Sequence, residues 1–349
     1  MQYKFEDIAI NSTAKKKPTE EDKDTYIGLE HLDSDCLYVT RWGADAAPTG
    51  EKLLMKKGDV LFGKRRAYQR KVGIAPFDGI FSAHGMVLRP NEEIIDKKFF
   101  PFFISSDQFM ERAVRISVGG LSPTINWKDL RIQEFDLPPI DEQRILADKL
   151  WAAYRLKESY KKLLTATQEM VKSQFIEMFK NDKMVPLGKF CSIEKGSTIT
   201  RNEVSPGDIP VVAGGQEPSC YHNVSNREAG MITVSASGAY AGFVNYWTCP
   251  IFASDCNTIS PKEKNATDTT FLFYGMKALQ KHIYGLQKGG AQPHVYGKDL
   301  QNLLFPLPTI DKQSSFSRIA QQADKSGFEL RKSIEAIDQV IKSLINDIK

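Results

Sequence analysis

The sequence predicts an α+β chain made of two tandem domains of one mixed α/β fold, each followed by a long helix. The main observation is an internal repeat: residues 119–143 align with residues 289–313 without a gap, and 12 of the 25 paired residues are identical. An offset of 170 residues is far longer than the repeat of a solenoid, so we expect the copies to be whole tandem domains, which makes the chain a pseudo-two-fold internal repeat. A chain of 349 residues is also long enough to bury two separate cores.

The first mixed segment covers residues 1–139 and the second covers residues 182–309. Short β-type runs, bounded by turn-forming residues, occur at matching places in both segments. The matching runs are residues 60–62 and 80–82 in the first segment and residues 231–234 and 251–254 in the second.

Each mixed segment leads into a predicted long helix, over residues 140–181 and 310–349. Apolar residues spaced by three and four give both helices a heptad seam, and about 35 residues make a helix of about 50 Å. Lys157, Thr167 and Gln174 interrupt the first seam. We expect the helices to pack on each other as a coiled coil; the alternative is that each packs on its own domain. The predicted seam residues are Leu146, Leu150, Ala153, Tyr160, Leu164, Val171, Met178, Phe316, Ala320, Ala323, Leu330, Ile334, Ile337, Ile341, Leu344 and Ile348.

Composition and charge describe an ordinary globular protein. Charged residues make up 26% and hydrophobic residues 41% of the chain, which excludes an intrinsically disordered chain. The formal charge of +4 is compatible with nucleic-acid binding without requiring it. We expect a cytoplasmic protein that does not enter a membrane, because no apolar run suits a membrane span or a signal peptide and the five cysteines show no CxxC spacing.

A cluster of positive charge lies between two predicted strands of the first segment, at residues 64–71 (the basic loop). Lysine and arginine bind phosphates, and arginine and glutamine can also make bidentate contacts with base edges. Gly63 and Gly73 favour a projecting loop, although a solvated run of surface charge has a similar composition. The predicted DNA contacts of this loop are Lys64, Arg65, Arg66, Tyr68, Gln69, Arg70 and Lys71.

The matching residues 235–242 of the second segment (the serine loop) carry no charge and are mostly small or hydroxyl-bearing. Such residues allow close backbone approach and hydrogen bonds to bases or phosphates, whereas the alternative is a plain flexible turn. Residues 119–123 and 289–293 (the Gly-Gly loops) lack the Walker lysine and the GxGxxG spacing, so they are predicted to shape turns. The predicted DNA contacts of the second segment are Ser237, Tyr240, Gln292 and His294.

The sequence predicts no catalytic site and no metal site in this chain. The five histidines form no evident triad. Cys220, His222, Cys249 and Cys256 are chemically suited to zinc, but their spacing fits no known zinc finger. An enzyme with an unrecognised metal site therefore remains an alternative interpretation.

The chain resembles the specificity (S) subunits of Type I restriction–modification enzymes. The most specific shared pattern is Leu-Pro-x-Ile-Asp-x-Gln leading into a long helix, found at residues 137–143 and again at 307–313. The resemblance implies that the mixed segments are target-recognition domains and that the two helices form an antiparallel coiled coil between them. It also implies a non-catalytic subunit that reads a split, asymmetric target in double-stranded DNA. Other shared motifs are residues 26–31, 58–63, 122–126 and 128–130.

The resemblance also implies partner proteins. Two methyltransferase (M) subunits would bind this chain, and the nuclease and translocase (R) subunits would bind through them. S-adenosylmethionine, ATP and Mg²⁺ are expected only on those partners, and no cofactor is expected on this chain. The alternative is an S-like scaffold or inhibitor that binds M subunits without sequence-specific DNA recognition.

Overall fold

The computed structural model describes residues 1–346, which divide into two compact units. Unit 1 contains residues 1–160 together with the described residues from 333 onward, and unit 2 contains Lys161–Lys332. Each unit therefore includes part of both long helices, whereas the sequence-based division treats the helices as separate segments. The predicted seam residue Ile348 lies outside the described residues.

The first mixed segment is built from short strands and short helices. Its strands are β1 (Gln2–Lys4), β2 (Ala9–Ser12), β3 (Lys15–Lys16), β4 (Tyr26–Ile27), β5 (Lys52–Met55), β6 (Val60–Phe62), β7 (Val72–Ile74), β8 (Gly79–Phe81), β9 (Met86–Pro90) and β10 (Glu134–Asp136). Its α-helices are α1 (Phe5–Ile8), α2 (Phe100–Ser105), α3 (Asp107–Arg115) and α4 (Trp127–Leu130), and the first long helix, α5 (Ile140–Phe179), follows.

Strand β6 positions the basic loop. It lies inside a sheet of order β2-β9-β6-β7, and a second sheet has the order β3-β5-β8-β4. All three residues of β6 are buried and apolar, as is typical of a strand that is covered on both faces. The antiparallel register pairs Phe62 with Val72, so residues 63–71 close a hairpin.

The second mixed segment has a similar inventory. Its strands are β11 (Met184–Pro186), β12 (Cys191–Lys195), β13 (Ile209–Val212), β14 (Cys220–His222), β15 (Met231–Ser235), β16 (Val244–Trp247), β17 (Phe252–Ala253), β18 (Cys256–Pro261) and β19 (Leu304–Pro306). Its α-helices are α6 (Leu187–Phe190), α7 (Thr269–Ala278), α8 (Gln280–Tyr284) and α9 (Gly297–Gln301), and the second long helix, α10 (Ile310–Asn346), follows.

The second segment repeats the sheet that holds the first loop. The order β12-β18-β15-β16 corresponds strand by strand to β2-β9-β6-β7. A parallel pair also recurs, as β4 with β8 and as β13 with β17. The two-stranded sheet β1-β10 recurs as β11-β19, whereas the other sheet differs, since β14-β13-β17 has three strands where the first segment has four. The repeat confirms two tandem domains of one mixed α/β fold.

Helices α5 and α10 run antiparallel within each unit. In unit 1, Lys157 of α5 forms an ion pair with Asp338 of α10. In unit 2, the ring of Phe316 lies 5.4 Å from that of Phe175 and 5.6 Å from that of Phe179. The predicted seam residues that fall within residues 1–346 are buried or half-buried.

Both long helices also pack on the mixed segment of the unit that contains them. In unit 1 the ring of Trp151 lies 4.9 Å from that of Phe102, and in unit 2 the ring of Phe179 lies 4.9 Å from that of Phe271. Packing between the helices and packing on the domains are therefore not alternatives. The same helix turns supply both, which is why aromatic residues such as Tyr154 are buried beside the seam.

None of the helices within residues 1–346 is both long and apolar enough to cross a membrane.

Candidate nucleic-acid interface

The basic loop is a structured connection between β6 and β7. A 3-10 turn at Ala67–Gln69 forms its centre, and the buried methyl group of Ala67 anchors this turn on the core. Arg66 and Arg70 flank the turn, and both adopt the left-handed conformation, with φ of +57° and +52°. L-residues adopt this conformation rarely, so the loop has a defined shape rather than that of a flexible tail.

The first Gly-Gly loop packs directly against the basic loop. Residue pair Val118–Thr124 closes the Gly-Gly loop through two backbone hydrogen bonds, and Gly119 turns the chain with φ of +112°. The backbone N–H of Arg66 donates to the carbonyl oxygen of Pro123 at 2.7 Å. Its guanidinium donates to Ser122 Oγ from Nε at 3.2 Å and from Nη2 at 3.0 Å. The two loops therefore form one surface, and Ser122 fixes the direction of the Arg66 side chain.

Unit 2 repeats this loop pair with the same backbone contacts. Gly238 has φ of +82°, and its N–H donates to the carbonyl oxygen of Pro293 at 3.0 Å, as Arg66 does to Pro123 in unit 1. Gly289 has φ of +98°, matching Gly119. The scaffold is therefore the same in the two units, and the side chains on it differ.

The predicted cations at the beginning of the basic loop face outward to different extents. Arg66 and Tyr68 are exposed, whereas Lys64, Arg65 and Gln69 are half-buried. Burial, and secondarily the charge of Lys15, lowers the pKa of Lys64 from its ordinary value. These side chains give unit 1 a cationic surface of the kind that binds phosphates and guanine edges.

Arg70 and Lys71 are turned toward the protein. The guanidinium of Arg70 contacts Asp35, Asp107 and the carbonyl oxygen of Ser105. Lys71 Nζ donates to the carbonyl oxygen of Leu29 at 2.6 Å. Because these groups are already engaged inside unit 1, we leave both residues out of the proposed DNA surface. The sequence shows their charge but not the direction of their side chains.

The candidate residues of unit 2 lie on the two adjoining loops. Ser237 and His294 face each other in a backbone bridge, and Ser237 Oγ donates to a carboxylate oxygen of Asp255. Tyr240 and Gln292 are exposed. The ring of His294 stacks on Tyr296, with centroids 6.0 Å apart and planes 18° apart. This surface offers aromatic, hydroxyl, amide and carboxylate groups instead of a cluster of cations.

Several residues of these surfaces were not among the predicted contacts. Ser122 is the repeat partner of Gln292, so the internal alignment contains the signal that points to it. Leu121, at the tip of the first Gly-Gly loop, is 97% exposed. Lys15 is recognised only in three dimensions, because strand β3 brings its charge near Lys64.

No group of three or more His, Cys, Asp or Glu side chains suited to a metal ion occurs within residues 1–346. The cysteines considered for zinc have different environments. Cys249 is exposed, whereas Cys256 is buried and its thiol donates to the carbonyl oxygen of Val212 at 3.6 Å. Burial raises the pKa of Cys256 to about 12, which disfavours the thiolate that zinc requires.

The chain is similar to proteins of one family. A family model described as the Type I restriction modification DNA specificity domain matches residues 3–166 and 180–339. A protein of Methanocaldococcus jannaschii described as a type I restriction enzyme specificity subunit is 25% identical over an alignment of length 336, and the match covers 83% of this chain and 77% of that protein.

Two solved structures have similar folds. The crystal structure of an S subunit of a Type I restriction–modification system from M. genitalium has a TM-score of 0.61 at 16% identity, covering 100% of this chain and 95% of that one. A chain from a structural study of complex assembly and conformational transition in the type I R-M system has a TM-score of 0.59 at 18% identity, covering 99% of this chain and 96% of that one. At these identities the similarity concerns the fold alone.

Proposed function

The chain belongs to the Type I restriction modification DNA specificity family, and from this premise we propose that it reads a split, asymmetric DNA target with one half-site for each unit. The observation that supports the proposal most directly is the repeated loop pair. Arg66 and Gly238 both have a positive φ and both donate a backbone hydrogen bond to a proline carbonyl, yet Arg66 carries a guanidinium group and Gly238 has no side chain. Two readers with one scaffold and different contact chemistry suit two different half-sites.

The chemistry of the loops suggests what each half-site contains. Arginine makes bidentate contacts with guanine O6 and N7, so Arg65 and Arg66 suit a half-site that contains guanine. In unit 2, Gln292 suits adenine, and the ring of Tyr240 offers an apolar contact of the kind that a thymine methyl group accepts. The cations of unit 1 would in addition contact phosphates, so unit 1 would contribute more of the salt dependence of binding than unit 2.

We also propose that methyltransferase subunits dock on the long helices. Besides its inward seam, α5 has a second heptad stripe, with spacings of four and three residues, on a face that is exposed along its length. An exposed stripe of leucine, methionine and small residues is the pattern by which a helix packs against further helices. The stripe consists of Ala152, Leu156, Ser159, Leu163, Ala166, Met170 and Ser173.

In this proposal the chain itself is non-catalytic and works in the cytoplasm. Two methyltransferase subunits would bind, because the repeat supplies two similar units, and the nuclease and translocase subunits would join through them. S-adenosylmethionine, ATP and Mg²⁺ would be bound by those partners. The family match supports this division of roles.

The decisive test is a methylome. The chain is co-expressed with its methyltransferase subunit in a host that lacks DNA methylation, and N6-methyladenine is mapped by single-molecule sequencing. We expect a bipartite motif with a fixed unread gap. Replacing residues 1–139 with the corresponding segment of another family member should change only one half of this motif.

A second arm separates DNA reading from partner docking. The double variant Leu156→Asp/Leu163→Asp should abolish co-purification with the methyltransferase subunit, whereas Lys172→Asp, an exposed change on the same helix outside the stripe, should not. An intact complex with the methyltransferase that produces no methylation would contradict DNA reading and would support the scaffold or inhibitor interpretation.

A further inference from the structure

We propose that Arg70 is a positioning residue that links the basic loop to the end of helix α10, so that reading of the first half-site depends on that helix. The inference rests on the proposed function and deepens it. It concerns unit 1 alone, since the residues involved all belong to that unit.

The side chain of Arg70 is bound on three sides. Its Nε lies 2.8 Å from Asp35 Oδ1, and its Nη1 lies 3.0 Å from Asp107 Oδ1. Its Nη2 donates to the carbonyl oxygen of Ser105 at 2.6 Å. Every guanidinium nitrogen is thus engaged inside the unit, whereas Arg66 of the same loop is exposed.

Arg70 has a backbone conformation that residues with a side chain rarely adopt. Its φ of +52° is a conformation that favours glycine, and Gly242, which follows Gly238 by four residues as Arg70 follows Arg66, takes the same place in unit 2 with φ of +90°. Unit 1 therefore keeps an arginine where the fold prefers a residue without a side chain. A strained conformation of this kind persists only where surrounding contacts hold it.

Unit 2 holds its loop by neutral contacts instead. Gln280 Nε2 donates to the carbonyl oxygen of Gly242, and Gln287 Nε2 donates to that of Ala241, both at 2.7 Å. Gln280 and Gln287 belong to the mixed segment, so these contacts tie the serine loop to its own domain. The contacts of Arg70, in contrast, lead through Asp107 to helix α10.

Asp107 passes the connection on to α10. Its second carboxylate oxygen, Oδ2, accepts a hydrogen bond from Asn346 Nδ2 at 2.8 Å, and its backbone N–H donates to Asn346 Oδ1 at 2.9 Å. Lys342 Nζ lies 3.9 Å from the same Oδ2. One carboxylate therefore joins the arginine of the loop to the last described turn of α10.

This polar chain borders a cavity of about 420 Å³. Arg70 and Asp107 line it together with Tyr154 of α5 and with Ile341 and Asn346 of α10. Ala67 of the loop and Ile345 of α10 belong to one apolar core, and the chain Arg70–Asp107–Asn346 adds a polar connection between the same two elements. We expect a displacement of α10 to reach the side chain of Arg70 through this polar connection.

The test compares two substitutions with the same backbone effect. Arg70→Gly and Arg66→Gly both place glycine at a left-handed position, so neither introduces strain. Each variant is studied in the complex with the methyltransferase subunit, by measuring the affinity for target duplexes altered in one half-site at a range of salt concentrations. For Arg66→Gly we expect the slope of log affinity against log salt to fall by about one, as for a lost phosphate contact.

For Arg70→Gly we expect a different signature. Affinity for the intact target should fall by about tenfold with an unchanged salt slope, because no DNA contact is lost. Discrimination at the first half-site should weaken and that at the second should remain. A salt slope reduced as in Arg66→Gly would overturn the proposal and would make Arg70 a DNA contact.

A remote substitution tests the link to the helix. Asn346→Ala changes no residue of the loop, yet it should weaken first half-site discrimination and speed hydrogen exchange at the amides of residues 66–71. Its effect on affinity should be largely lost in the Arg70→Gly background, because both substitutions break one chain.

If Asn346→Ala leaves first half-site reading unchanged, or if its effect adds fully to that of Arg70→Gly, the link to α10 is refuted. The parent complex distinguishes this failure from that of the proposed function. A parent that binds no target DNA would refute the proposed function and the present inference with it.

Discussion

Gln143 and Gln313, which are offset by 170 residues, make the same hydrogen bonds at the beginnings of the two long helices. Gln143 Oε1 accepts from the N–H of Asp96 at 2.9 Å, and Gln313 Oε1 accepts from the N–H of Asp268 at 2.9 Å. Each Nε2 donates to two carbonyl oxygens, one of them that of the proline five residues earlier. The last residue of the shared Leu-Pro-x-Ile-Asp-x-Gln pattern therefore fastens each long helix to its mixed segment.

Removing one of these amides should destabilise the unit that contains it. Gln143→Ala leaves three backbone groups at a buried site without their partner, so we expect the free energy of unfolding to fall by about 2–4 kcal/mol. Gln174→Ala, on an exposed face of the same helix, should change it by less than about 0.5 kcal/mol. Urea unfolding followed by circular dichroism measures both. Equal effects of the two variants would contradict this role.

The ion pair between Lys157 and Asp338 should respond unequally to loss of its two members. Lys157 is buried and Asp338 is half-exposed, so Asp338→Ala leaves an ammonium group with little access to water. We expect it to cost about 2–3 kcal/mol, whereas Lys157→Met, which replaces the cation by an apolar chain, should cost less than about 1 kcal/mol. Thermal unfolding of the two variants would reveal the difference. If Lys157→Met were the less stable variant, burial of the ammonium group would not be what makes Asp338 important.

Gly275 of α7 should tolerate no side chain. A Cβ atom there would lie 2.3 Å from Phe305 Cζ and 2.5 Å from Phe175 Cζ, and both rings are buried. Gly275→Ala should therefore destabilise unit 2 by about 1–3 kcal/mol despite the better helix propensity of alanine. Gly290→Ala is the matched control, since a Cβ atom at Gly290 meets nothing within 4 Å. Chemical denaturation compares them, and a stabilised Gly275→Ala would mean that α7 lies farther from the rings.

Arg65 offers a test of base reading. If Arg65 contacts a base of the first half-site, Arg65→Ala should weaken binding by about 1–3 kcal/mol and relax specificity at that half-site only. Competition binding with duplexes altered in either half measures this. Equal loss at both half-sites, or no loss at all, would argue against the assignment.

The cysteines should react with alkylating reagents in a fixed order. Burial raises the pKa of Cys191 and Cys256 to about 12, so at about pH 8 both remain protonated and shielded. Cys249 is exposed and should be modified first. Timed alkylation followed by peptide mass spectrometry, with the unfolded chain as reference, checks the order. Early labelling of Cys256 would contradict its place inside the second segment.

The repeat made much of the fold predictable. The alignment of residues 119–143 with residues 289–313 indicates two domains, and the apolar spacing indicates the long helices, because both signals depend only on sequence offset. The strand order could not be predicted from the sequence, because pairing between distant segments such as β2 and β9 produces no periodic pattern of residues. The sharing of each long helix between two units was equally hidden.

The candidate surfaces were predictable in place but not in detail. The position of the basic loop followed from its charge and flanking glycines. The sequence could not show which cations point outward. The direction of the Arg70 side chain, for example, is set by Asp35 and Asp107, which are far from it in sequence. In the sequence, Lys157 is a polar interruption of the heptad seam. The structure shows that its ion pair with Asp338 on the other helix accompanies its burial.

The division of the chain into units has a consequence for the order in which they form during synthesis. Unit 2 is one continuous stretch, Lys161–Lys332, whereas unit 1 needs residues from both sides of it. Domains generally fold as they leave the ribosome, the N-terminal one first. Here the earlier-made segment must wait for the end of α10, since the contact between Asp107 and Asn346 joins residues 239 positions apart. We therefore expect nascent chains to complete the second reader before the first.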